Sequence, residues 1–210
     1  FNVKQAPLAT RFNETVLSFQ DPDGLHLELI TATNGDKRKP WETGEVNATV
    51  ATKGFYNTTL SLRKIDATAN LLTEVFGYRL LKQEGNRHRF VTHQPDAAGI
   101  IDLLEMPDLP GGYNAAGTNH HIAFRMSDET TQMEMREKIA SRGLNITPKI
   151  NRDYFYSVYF REPGGVLFEL ATDQPGFTVD EPLDELGTHL KLPKQFEPAR
   201  ERIEKVLPLL

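Results

Sequence analysis

An internal repeat limits this chain's fold more than any other feature of the sequence. Phe19-Gln20-Asp21-Pro22-Asp23-Gly24-Leu25-His26-Leu27-Glu28-Leu29 aligns with Phe160-Arg161-Glu162-Pro163-Gly164-Gly165-Val166-Leu167-Phe168-Glu169-Leu170. In both stretches an acidic residue precedes Pro, Gly closes the turn, and an apolar strand follows with one Glu inside it. Pro presets one turn position and Gly tolerates positive φ, so each stretch reads as strand, turn, strand. Common turn chemistry explains the Pro and Gly; the interior Glu on both final strands points to duplication.

The rest of the chain extends the repeat. Residues 13–20 and 25–30 form the first hairpin, and 33–53 is a connector rich in charge, Gly and Pro. A strand at 58–62 leads to Asp66, a candidate N-cap, and then to an apolar stripe of Ala69, Leu71, Leu72, Val75 and Phe76 ended by Gly77. Strands at 78–81, 87–92 and 100–104 complete a β-α-β-β-β unit. After a Pro- and Gly-bearing link at 106–118, a strand at 120–126 and a helix at 129–141 are followed by strands at 144–148, 154–160 and 166–171. The order is the same, so the fold class is α+β, with tandem βαβββ modules. From residue 174 a Pro-bearing tail runs to a helix whose Ile203, Val206, Leu207 and Leu210 could pack back on a sheet.

Composition removes several functions. The absence of Cys excludes disulfides, thiolate nucleophiles and Cys-ligated zinc or iron–sulfur clusters. A formal charge of -5 with mixed signs gives no basic footprint for nucleic acid. No apolar run reaches membrane-spanning length and no signal peptide is evident, so a cytoplasmic setting is expected.

The candidate chemistry lies in the last module. His120-His121 opens a strand, where alternation would send the two imidazoles to opposite faces, His121 with Ala123 and His120 with Ile122 and Phe124. Glu169 lies between Phe168 and Leu170 on the most apolar strand of the module. A carboxylate buried there must be hydrogen-bonded, paired or bound to metal; a salt bridge to Arg125 or Arg152 is the structural alternative. Non-haem iron oxygenases commonly use two His and one carboxylate on one face. One His and one Glu make half of such a site, and Tyr56-Asn57 occupy the position in the earlier module that corresponds to His120-His121. Arg152 and Tyr159 lie close in sequence to this strand pair and suit a substrate with ionised phenolic oxygens. Gly111-Gly112 and Gly164-Gly165 are turn glycines, and no serine elbow or HExxH motif occurs.

The βαβββ repeat, Asn119-His120-His121-Ile122-Ala123-Phe124 and the run from Tyr159 to Glu169 resemble the vicinal-oxygen-chelate superfamily of glyoxalases, bleomycin-resistance proteins and extradiol dioxygenases. Within it the likeness is to ring-cleaving dioxygenases of the hydroquinone type and extends through Asp180-Glu181-Pro182-Leu183. The resemblance implies curved mixed sheets. It also implies that 1–32 ends a second module, 54–105 is the third, 119–173 the fourth and 174–210 a wrapping tail. It makes His121 and Glu169 metal ligands, with His120, Arg152 and Tyr159 lining the site. A further His ligand would come from a segment ahead of Phe1. The implied activity is iron(II)-dependent ring cleavage of a hydroquinone or catechol by dioxygen, with manganese(II) as a substitute. The alternatives are a glyoxalase-like lyase or isomerase using zinc(II) or nickel(II), and a metal-free binding or resistance protein. A homodimer is compatible with this architecture.

Overall fold

The computed structural model describes residues 3–31, 36–93 and 99–208, which form two compact units, 1–122 with 161–167 and 123–160 with 168–210. Leu210 and the start of the connector, 33–35, lie outside the described residues.

The first unit opens with a meander of β1 (Ala9–Arg11), β2 (Glu14–Gln20) and β3 (His26–Thr31), antiparallel in the order β1-β2-β3. The β2–β3 hairpin is the expected one, and Asp21 fixes its turn by accepting from the Asp23 and Leu25 N–H groups at 2.9 and 2.8 Å. Strand β1 was not expected from the sequence. It reaches β2 through Phe12-Asn13, both in the left-handed region at φ 53° and 65°, which is how a two-residue hairpin loop matches strand twist. A bulky residue rarely takes that conformation; here the Phe12 ring is buried beneath the Arg89 guanidinium, 4.5 Å from the ring centroid.

The same unit continues with β4 (Asn57–Leu62), α1 (Asp66–Glu74), β5 (Arg79–Glu84), β6 (Arg87–Val91) and β7 (Ile100–Glu105). The sheet order is β4-β7-β6-β5, with β4 parallel to β7 and the other neighbours antiparallel. Leu60, Leu62, Leu71, Leu72, Phe90, Ile101 and Leu103 are buried in this unit. Asp66 is not the N-cap. Ile65 takes that position with near-helical backbone angles and no side-chain cap, so Asp66 is already inside the first turn, where its charge still favours the helix dipole.

A later module repeats the order as β8 (Ile122–Met126), α2 (Glu129–Ala140), β9 (Ile150–Asn151), β10 (Tyr156–Arg161) and β11 (Leu167–Thr172), with sheet order β8-β11-β10-β9. Asp128 caps α2 by accepting from the Thr131 N–H at 2.7 Å. The fully buried Gln132 of this helix donates to the Tyr156 and Leu170 carbonyls, both at 2.8 Å, and ties α2 to β10 and β11. The strand expected at 144–148 contributes one bridge, Ile146 to Phe160, and the β9 ladder forms only at 150–151. Pro148 lies between them and cannot donate to a ladder.

Tandem βαβββ modules are therefore present, but the expected curved sheets are not. Among the described residues, hydrogen bonding gives three open sheets of three, four and four strands, each a linear order whose end strands do not pair. Bending a sheet into a closed surface takes bulges and end-to-end pairing. Here β4–β7 runs through six consecutive pairs and β6–β7 through five without offset, and the register shifts between Leu80 and Lys82 of β5. The tail carries the short helix α3 (Arg200–Glu204); Val206 and Leu207, expected to pack, are exposed. No helix among the described residues is long and apolar enough to cross a membrane.

Candidate functional site

In each of the three sheets the last strand in chain order carries an acid at its third residue: Glu28 in β3, Asp102 in β7 and Glu169 in β11. Asp102 and Glu169 are buried, and Glu28 is half-buried. A carboxylate removed from water needs compensation, and the three positions obtain it in different ways.

Glu28 is gripped by both terminal nitrogens of Arg11, one at 3.0 Å, and accepts from the Ser18 hydroxyl at 3.2 Å. Burial pushes its carboxyl up, but the Arg11 hydrogen bonds and charge prevail and hold it below its ordinary value. Asp102 meets a bidentate Arg89, Nε to Oδ1 at 2.8 Å and Nη2 to Oδ2 at 3.1 Å, and also accepts from Asn57 at 3.0 Å and Arg87 at 3.4 Å. The remaining Arg89 nitrogen donates to Glu14 at 2.8 Å, and the Tyr56 hydroxyl donates to the other Glu14 oxygen. Burial, followed by the bond to Glu14, pushes the Tyr56 phenol up to about 12. Cross-linked in this way, the Asp102 position is filled by guanidinium groups.

Glu169 is surrounded by different groups. The hydroxyls of Ser157 and Tyr159 both donate to its Oε1, the latter at 2.8 Å. They project from alternate positions of β10, so the strand's period of two places both beside the acid. The Tyr159 hydroxyl also accepts from Arg152 Nη2 at 3.4 Å, and the exposed guanidinium stands 5.5 Å from the Tyr159 ring. That hydrogen bond is the main cause raising Arg152 above its ordinary value, with the Glu169 charge a smaller one. Arg125, one of the two cations considered for Glu169, pairs with Asp173 through contacts of 2.7 and 2.8 Å.

The two histidines do not follow strand alternation, because β8 begins only at Ile122. Both are exposed, with rings edge-to-face at a centroid distance of 5.1 Å and their Nδ1 atoms 2.8 Å apart. One Nδ1 must donate and the other accept, so the contact couples their tautomers. Sequence-expected residues thus fall into two groups: Arg152, Tyr159 and Glu169 in the second unit, and His120 with His121 in the first.

Among the described residues no cluster of three or more His, Asp or Glu is placed to hold a metal ion. Glu169 suits a ligand, since metal-binding carboxylates are commonly oriented by neighbouring hydrogen bonds, but one acid and one imidazole fall short of a three-ligand set. The sequence reading missed Ser157, although its spacing from Tyr159 was a usable signal. It also passed over Asp102, which sits in an apolar strand much as Glu169 does.

Comparisons with known proteins agree with this architecture. Residues 54–170 match the family described as "Glyoxalase/Bleomycin resistance protein/Dioxygenase superfamily". The "Putative ring-cleaving dioxygenase MhqO" of Bacillus subtilis (strain 168) is 42% identical over 207 residues, covering 99% of this chain and 65% of that protein. A "Chlorohydroquinone/hydroquinone 1,2-dioxygenase" of Sphingobium indicum is 29% identical over 201 residues, 94% of this chain and 62% of that one. The crystal structure of a "putative dioxygenase" from Bacillus subtilis superposes with a TM-score of 0.89 at 42% identity, over 100% of this chain and 67% of the other. The chain spans about 65% of the length of the first of these relatives. By the match over more than half its length and by these relatives, the chain belongs to the glyoxalase, bleomycin-resistance and dioxygenase superfamily.

Proposed function

We propose that the complete protein is a non-haem iron(II)-dependent dioxygenase that cleaves the ring of a hydroquinone or catechol. One observation carries the choice of site: of three equivalent acids, Glu28 and Asp102 are bound by bidentate arginine, whereas Glu169 accepts from the hydroxyls of Ser157 and Tyr159. The names of the relatives support the reaction class.

In this reading Glu169 and His121 hold the ion, and a second His comes from a further segment of the longer protein. The exposed face of β3 supports such a segment. Leu27 and Leu29, which flank Glu28, are 36% and 48% exposed, whereas Ile101 and Leu103 beside Asp102, and Phe168 and Leu170 beside Glu169, are at most 2% exposed. The complete modules have a strand and a helix before their last three strands; β3 belongs to a sheet with neither in the described residues.

Bound iron(II) supplies redox chemistry and open positions for an aromatic diol and dioxygen, and manganese(II) could take its place. Arg152 offsets the negative charge of the ionised diol, because a guanidinium stays protonated throughout. Tyr159, held between Arg152 and Glu169, orients a substrate oxygen and hydrogen-bonds to it. His120 accepts a proton at its ring nitrogen as the diol ionises. A reducing cytoplasm, which preserves iron(II), suits this chemistry.

The test is metal analysis of the full-length protein together with oxygen uptake on methylhydroquinone and catechol. The expected result is one iron per chain and oxygen consumption matched to ring-opened product. Zinc or nickel in the protein without oxygen uptake would move the function to an isomerase or lyase, and no bound divalent metal would overturn the reading. The 210-residue chain alone should hold iron weakly; one iron per isolated chain would remove the need for a further His ligand.

A further inference from the structure

The motif Asp180-Glu181-Pro182-Leu183 has no role in the chemistry above, yet the segment leading to it is fastened to the turn that carries Arg152. After β11 the chain bonds back, with Thr172 Oγ1 donating to the Gln174 carbonyl at 3.0 Å and the Gly176 N–H donating to the Tyr154 carbonyl at 2.8 Å. Phe177 begins a short 3-10 turn (Phe177–Val179) and stacks on Tyr154, with centroids 4.9 Å apart and planes 24° from parallel. Phe155 meets the same ring at 6.4 Å. The Tyr154 hydroxyl donates to Asp180 at 3.0 Å, and Lys191 Nζ donates to the Asp180 carbonyl at 3.3 Å.

The clasped turn is tight. The Arg152 N–H donates to the Phe155 carbonyl at 2.9 Å, the Tyr154 N–H to the Arg152 carbonyl at 2.8 Å, and Asp153 is left-handed at φ 64°. A non-Gly residue in that region costs free energy and is kept there by its surroundings. The Arg152 side chain is long and exposed, so a mobile turn would let it sample many positions.

We infer that residues 174–180 form a strap that positions Arg152: Phe177 and Asp180 clamp Tyr154, and the clamped turn holds the guanidinium against Tyr159 for an anionic diol. This rests on the proposed ring-cleavage reading, in which Arg152 meets the substrate anion. Tyr154, Phe177 and Asp180 are positioning residues that act through Arg152 and touch neither substrate nor metal.

The experiment uses the full-length enzyme with methylhydroquinone and the variants Tyr154→Phe, Phe177→Ala, Arg152→Ala and Phe177→Ala with Arg152→Ala. Phe177→Ala should raise KM about fivefold or more with kcat changed less than about twofold, the pattern of lost substrate binding. Tyr154→Phe keeps the stacking and removes only the Asp180 bond, so it should move KM the same way by less. In the Arg152→Ala background Phe177→Ala should add nothing, because the strap would have no guanidinium left to hold. Amide exchange at Arg152 and Tyr154 should accelerate in both strap variants, a change that can be read without turnover. Additive KM effects in the double variant, an unchanged KM in Phe177→Ala, or unchanged exchange would each overturn the strap while leaving the dioxygenase in place. No ring cleavage by the wild-type protein would overturn both.

Discussion

Asp102 and Glu169 occupy the same position in two copies of one module, yet their surroundings make them chemically unlike. Around Asp102 the module supplies two arginines and an asparagine, and Glu14 of β2 joins through Arg89, so charge is balanced inside the protein. Around Glu169 it supplies two hydroxyls on one oxygen, with Arg152 one hydrogen bond further out on Tyr159. The hydroxyls orient a carboxylate without replacing its charge, which is what a metal ligand requires. Both modules therefore bury an acid at this position. On the proposed reading, the residues of the preceding strand, Arg87 and Arg89 in one module and Ser157 and Tyr159 in the other, decide whether the acid serves the fold or a ligand.

The largest effect that tests this contrast comes from removing each acid in turn. Asp102→Ala leaves the Arg89 guanidinium buried with Glu14 as its remaining anion, and breaking a buried pair in this way costs about 3 kcal/mol. Urea unfolding followed by circular dichroism should show the midpoint fall sharply. Glu169→Ala leaves two hydroxyls to find new partners, at about 1–2 kcal/mol, while iron content in the full-length protein should drop to background. If Glu169→Ala unfolds the protein as Asp102→Ala does and the iron stays bound, both acids are structural and the contrast fails.

Legibility in the sequence followed the range of the physics. The two βαβββ orders could be read because period-two alternation and turn residues act over a few positions. Glu169 was legible for the same reason, as a charge inside an apolar strand, and Asp102 carries that signal too. The edge-to-face contact of His120 and His121 was not legible, because alternation applies only inside a strand and β8 starts one residue after them. Asp66 failed as a cap because the backbone turns helical at Ile65, a choice that residue preference alone does not fix. The bond between Glu14 and Arg89 joins residues 75 positions apart, and no local pattern encodes it. Curvature was inferred from resemblance, whereas strand registers set it.

A smaller effect concerns the turn that precedes Glu169. A Cβ at Gly164 would lie 2.6 Å from Leu62 Cδ2 and 2.8 Å from Glu162 Oε1, inside the unit that holds β4 and α1. The buried Glu162 carboxylate is held there by Thr68 and by the Val166 N–H at 2.9 Å. Gly164→Ala must displace a packed leucine or the bonded carboxylate, an overpacking cost of about 1–3 kcal/mol. If this turn only tethers β11 and does not shape the acid's surroundings, thermal melting should register the loss while iron content per folded chain stays constant. Loss of iron at unchanged stability would mean that the open side of the comparison extends beyond Ser157 and Tyr159.

The smallest effect tests how far the closed side reaches. Tyr56 donates to Glu14, and its phenol is pushed up to about 12, first by burial and then by that bond. In the unfolded chain a tyrosine titrates near 10, so between about pH 10 and 12 the folded state keeps a proton that the unfolded state has lost. Stability tied to this group is fully present below about pH 10 and falls as pH rises through 12. Tyr78, also raised by burial, contributes with the same sign, so the measurement is the difference between Tyr56→Phe and the parent in urea unfolding across that range. The variant should lose stability less steeply with pH, and one late phenolate should vanish from its absorbance titration. If both curves coincide with the parent's, Tyr56 lies outside the Glu14–Arg89–Asp102 cluster, and arginine alone closes the Asp102 position.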